Sequence, residues 1–167
     1  MIRERVLQRF DRAWSAFEQS YAGLSRADLL EPGVVGAWSV RDLVVHVTIW
    51  EEEALKHLPG MLAGRKPPRY SVTHGGIDAF NALMIARRKD IPLAEAFRQQ
   101  AAVHRRVAAL IGRAPEAQLA SGTRFRNRLR LDTYGHYAVH TAPILNWRNR
   151  RDAAGRRRRP RRPNAGA

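Results

Sequence analysis

Cysteine is absent from the 167 residues. Its absence excludes a disulfide framework, a thiolate zinc site and a cysteine nucleophile, so any metal would have to be held by histidine and carboxylate. Long apolar runs are also missing: none approaches the ~18 residues of a membrane span. The opening, "MIRERVLQRF", lacks the apolar stretch of a secretory signal. The expectation is a cytoplasmic protein with no membrane partner. No segment shows the alternation of a strand, and no internal repeat is found. Acidic residues are scarce beside basic ones, 15 against 30, for a net charge of +15. From Arg148 onward there are nine arginines against one aspartate, so more than half of that excess lies in "RNRRDAAGRRRRPRRPNAGA". This segment has no apolar periodicity and cannot bury enough surface to order itself.

What remains is helical pattern. Ile2, Val6, Phe10, Trp14, Phe17 and Tyr21 recur at steps of three and four, the stripe of an amphipathic helix. Pro32, Gly33 and Gly36 interrupt it. Ser39 and Asp42 form an S-x-x-D capping box that opens "VRDLVVHVTIWEEEALKHL", ending near Pro59-Gly60. "IDAFNALMIARRK" reads as a shorter helix and "PLAEAFRQQAAVHRRVAALI" as a longer one. Asp132 is expected to cap the last, "TYGHYAVHTAPILNWRNR". Four long amphipathic helices and one short extra helix predict an all-α four-helix bundle over 1–150, with a disordered Arg-rich tail over 151–167.

In such bundles, sites are built from side chains pointing inward from facing helices. "HYAVH" sets His136 and His140 four apart, about 5–6 Å between Cβ atoms, from where two imidazoles can share one ion. A bare pair of this kind also arises by chance. Tyr137 occupies the place where a zinc protease needs its glutamate, so that chemistry is excluded. His46 shares its helix face with Leu43, Ile49 and Trp50, and a histidine on an apolar face needs partners for its nitrogens. Three neutral imidazoles with open positions suit zinc, nickel or ferrous iron. His57 and His74 are expected to face solvent. Gly135 and Pro143 flank the pair, and each weakens a helix, so irregular backbone is expected there.

Taken together, "GAWSVRDLVVHVTIWEEE", "DAFN" and "DTYGHYAVHTAPILNW" resemble the DinB-like superfamily, and within it the ClbS/DfsB branch, over nearly the whole body. The resemblance implies an up-down-down-up bundle with a long connection between its second and third helices. It also implies a divalent metal held by His46, His136 and His140. Several members of the superfamily are transferases or isomerases that use bacillithiol, mycothiol or glutathione, and others are hydrolases.

The leading expectation is therefore a metal-dependent enzyme acting on a small-molecule electrophile with a low-molecular-weight thiol. Asp42 would orient His46 from one turn earlier, and Tyr137 would donate into the pocket. The alternative is a binding or sequestration protein without turnover. Its apolar pocket would be lined by Trp38, Trp50, Phe80 and Trp147, with Asn81 and His104 as polar members. Non-specific contact with nucleic acid would run through the arginine tail. The sequence leaves monomer and homodimer both open.

Overall fold

The computed structural model describes residues 1–158, with side chains to residue 154. Eight α-helices occur among them: α1 (Ile2–Tyr21), α2 (Arg26–Leu30), α3 (Val40–Leu62), α4 (Tyr70–Thr73), α5 (Ile77–Arg87), α6 (Leu93–Arg113), α7 (Arg124–Asp132) and α8 (Tyr134–Arg158). A 3₁₀ turn, Glu116–Leu119, precedes α7. No strand is found among the described residues, only a bridge between Val35 and Trp38.

The four long helices are those expected: α1, α3, α6 and α8. Their directions follow from which ends touch. Arg3 of α1 donates to the Ala114 carbonyl at the end of α6, whereas Tyr21 donates to Gln100 nearer its start. These two helices are antiparallel. Tyr137 of α8 packs on Phe10 and Trp14, while Arg148 donates to the carbonyl of Ser20, so α1 and α8 run the same way. Val45 and Ile49 of α3 cluster with Ala96, and Glu51 meets His104, which makes α3 and α6 parallel. The order is up-down-down-up. Two parallel neighbours cannot be joined by a tight turn, and residues 63–92 make the return journey, carrying α4 and α5.

The α1 stripe is buried as its spacing predicts, with Val6, Phe10, Trp14, Phe17 and Tyr21 in the main core. A second, smaller cluster of Val45, Ile49, Trp50, Phe80 and Ala96 joins α3, α5 and α6. The capping box at the start of α3 is formed: Ser39 Oγ accepts from Asp42 N at 3.2 Å, and Ser39 N donates to Asp42 at 3.0 Å.

Four sequence expectations need correction. Helix α3 runs past Pro59 to Leu62. Asp132 is not a cap; it is the last residue of α7, buried and paired with Arg128, and the Thr133 carbonyl accepts the first amides of α8 instead. The stretch before α8, in which the sequence pattern indicates no element, contains α7, whose stripe of Phe125 and Leu129 is too short to stand out. Finally, α8 continues beyond 150 to Arg158. Arg151 pairs with Asp28 at 2.6 Å and with Glu31, and lies over the Trp147 ring. These contacts tie the first turn of the supposed tail to the body. Residues 159–167 lie outside the described residues.

Gly135 has a use that helix propensity hides. A Cβ there would stand 2.7 Å from the Arg130 carbonyl oxygen, because α7 turns into α8 with only Thr133 between them. Gly135→Ala gains about 1 kcal/mol of propensity, yet the clash with backbone should cost about 1–3 kcal/mol. Urea unfolding should show a net loss of stability; a gain would mean that the junction relaxes freely.

Candidate metal centre

His46 lies two turns into α3, and His136 and His140 lie in the first two turns of α8. Because α3 and α8 are antiparallel neighbours, the three rings meet. Their centroids are 4.6–4.8 Å apart. His46 Nε2 is 3.0 Å from His136 Nε2, which is 2.9 Å from His140 Nε2. All three ligand atoms lie within 4.8 Å of one another.

Protons cannot satisfy this arrangement. Each neutral imidazole has one N–H and one in-plane lone pair. If His136 Nε2 carries a proton, it can donate to one neighbour, and the other neighbour then faces it with nothing to offer. If it carries a lone pair, two donors compete for one acceptor. A cation solves the problem, because all three lone pairs can then point at the same centre. Bonds of about 2.1 Å place ligand nitrogens roughly 3–3.5 Å apart, so the two short separations need only a few tenths of an ångström of movement.

Burial keeps the rings in the form a metal needs. Desolvation pushes the pKa of His46 down to about 3, with the charge of His140 adding to it. Burial pushes His136 to about 2 and His140 to about 4. All three are neutral at physiological pH. The Nδ1 atoms of all three are buried without a hydrogen-bond partner. The rings are oriented by packing instead: Trp38 lies 5.0 Å from His46, and Trp50 lies 5.8 Å from His136.

The remaining candidates scatter. Asp42 does not reach His46; its carboxylate is occupied by Ser39 and by Arg41 at 3.0 Å. Asn81 accepts from Trp50 Nε1 at 3.0 Å and so holds the indole that borders His136. Trp147 belongs to the main core and Trp50 and Phe80 to the second cluster, so no single pocket gathers them. His57 is not solvent-facing: it packs against Glu53, 3.0 Å away. His74 is half-buried beside Tyr70 and Phe80.

His104 and Tyr137 have a different role, built on Glu51, a residue that the sequence reading passed over. Glu51 is fully buried. It lies 2.9 Å from His104 Nδ1 and accepts a hydrogen bond from Tyr137 Oη. His104 is itself sandwiched between Phe10 and Trp14, at 4.3 and 3.6 Å. Burial raises the Glu51 pKa against the opposing effect of these two bonds, and burial with the adjacent carboxylate raises that of Tyr137. Tyr137 therefore faces the core and does not donate toward the imidazoles. The signal was present in "WEEE": three acids in a row on a largely apolar helix cannot all face water.

A model of the DinB superfamily matches residues 9–142. No curated protein and no solved structure matches the chain. No helix among the described residues is long and apolar enough to cross a membrane.

The buried imidazoles set a pH dependence. Between their depressed values and the ordinary 6.5, the unfolded chain binds protons that the folded chain refuses, so stability falls as pH falls. Each histidine contributes a slope of up to about 1.4 kcal/mol per pH unit. Asp132, raised by burial to about 6, acts in the opposite sense, so the comparison has to be between variants. In chelator, urea unfolding from pH 7 to 5 should lose about one proton of slope in His136→Gln. An unchanged slope would show that the ring is solvated.

Proposed function

The chain belongs to the DinB superfamily, and from that membership and the three-imidazole centre we propose that it is a metal-dependent enzyme of the ClbS/DfsB type. It would act on small electrophiles as a thiol-dependent transferase or as a hydrolase. The observation that carries the reading is the convergence of three neutral Nε2 atoms that no set of protons satisfies. The "AWSV" opening of α3, the His46–Trp50 spacing and the closing H-x-x-x-H with Trp147 downstream support the finer assignment.

His46, His136 and His140 would hold a zinc, nickel or ferrous ion, which supplies Lewis acidity toward an oxygen or sulfur nucleophile. Three protein ligands leave coordination positions for a substrate atom. Trp38 and Trp50 border the rings and limit access of water. The chain has no cysteine, so a sulfur nucleophile must arrive on a small thiol cosubstrate.

Metal stoichiometry tests this directly. Untagged protein grown with zinc, nickel or iron supplied should carry one ion per chain. His140→Ala should lose most of it while circular dichroism stays unchanged, since a helix accepts alanine readily. His74→Ala should keep its metal. The core histidine His104 is a poor control, because removing it would leave Glu51 buried with one partner fewer. A metal-free wild type would sink the proposal, and equal loss in both variants would sink the ligand assignment. Turnover of an electrophile panel with thiol, with and without metal, separates an enzyme from a protein that only sequesters its ligand.

A further inference from the structure

An open groove of about 740 Å³ shares no lining residue with the centre, and neither the imidazoles nor the main core accounts for it. One wall is the crossover segment, from Pro67 through α4 to Asp78 at the start of α5; the other is α7. The volume is that of a site for a small organic molecule. Two features specify what would fill it. Ile77 and Leu131, one on each wall, are 54% and 60% exposed, leaving apolar surface without a protein partner. Three arginines, Arg69, Arg124 and Arg128, line it against a single carboxylate, Asp78.

Arg128 is the anchored member. Its Nε donates to Asp132 and its Nη2 donates to Tyr70 Oη at 2.9 Å, leaving Nη1 without a protein partner among the described residues. Tyr70 donates in turn to Glu53 at 2.5 Å. The guanidinium is thus held rigid at the groove wall, whereas Arg69 and Arg124 are exposed at its rim. Tyr70 also connects the groove to the centre: its ring is 5.4 Å from that of Trp50, which is 5.8 Å from that of His136.

We propose that this groove binds an amphipathic organic anion, its apolar body against Ile77 and Leu131 and its carboxylate, sulfonate or phosphate among the three arginines. As the place where a substrate's anionic end is recognised, the assignment rests on the reading of the imidazoles as the reaction centre. As a binding site it does not.

The probe is 8-anilinonaphthalene-1-sulfonate, with the neutral N-phenyl-1-naphthylamine beside it, titrated by fluorescence into full-length, metal-free protein. The sulfonate should bind saturably at one site per chain. The double variant Arg69→Glu/Arg124→Glu should weaken it at least tenfold and change the neutral dye less than twofold. Glutamate at position 124 also suits the start of a helix. Leu131→Asp should weaken both dyes. A second basic groove, between α3 and α6, is lined by Arg105, Arg106 and Arg113; Arg105→Glu/Arg113→Glu should leave binding unchanged. Should the first double variant fail to fold, Arg124→Glu alone should still give a threefold loss. Absence of saturable binding, indifference to charge reversal at 69 and 124, or loss only with the 105/113 pair overturns the proposal. Because no metal is present, none of these outcomes depends on whether the centre binds an ion.

Discussion

The buried carboxylate of Glu51 is the point on which three of the four long helices meet. It sits on α3, lies against His104 of α6 and takes a hydrogen bond from Tyr137 of α8. Taking a carboxylate out of water is expensive unless its partners are in place, so a register that misses them is penalised by several kcal/mol. Apolar side chains alone would tolerate a slide of one helix along another, because dispersion and burial have little directionality. The Glu51 contacts do not. They set α3 against α8, and the same register brings His46 opposite His136 and His140, since Tyr137 is the residue next to His136.

A second constraint acts at the other end of the site. Helix α8 must begin part-way along the bundle, because the centre lies within its first two turns while α3, running the opposite way, continues for about four turns beyond His46. Helix α7 covers the remaining distance, and Thr133 makes the break with φ −132° and ψ −108°. The approach of Arg130's carbonyl to Gly135 is what this tight junction entails. A residue that looks like a defect in the helix pattern is therefore a condition for placing His136.

The sequence revealed elements with long stripes and missed those without. The four long helices, the Ser39 capping box and the α1 core positions were legible because each repeats a local rule over several turns. Helices α2, α4 and α7 were not, at five, four and nine residues, since a stripe needs more turns to emerge. Among the site residues, His136 and His140 could be paired by spacing alone. His46 could be marked only as a histidine that needs a partner, and resemblance supplied the partner. Glu51 was overlooked because its partners are 53 and 86 residues away. The role first given to Tyr137 failed for the same reason, because the distant Glu51 takes its hydroxyl, whereas Asp42 is held locally by Ser39 and Arg41.

The orphaned Nδ1 atoms bear on what kind of metal site these histidines would make. Ligating imidazoles usually donate their second N–H to a carboxylate or carbonyl, which fixes the ring and makes the ligand more basic. Here tryptophan packing fixes the rings, and no acceptor meets Nδ1. The tautomer with the lone pair on Nε2 must then leave three N–H groups buried and unbonded, and each such group costs about 1–3 kcal/mol. That cost is present before any ion arrives, and coordination is the interaction that offsets it. Such a centre is preorganised in position and under-supported in its hydrogen bonds. An ion bound there would be held by three imidazoles without the acceptor partners that usually make such ligands more basic.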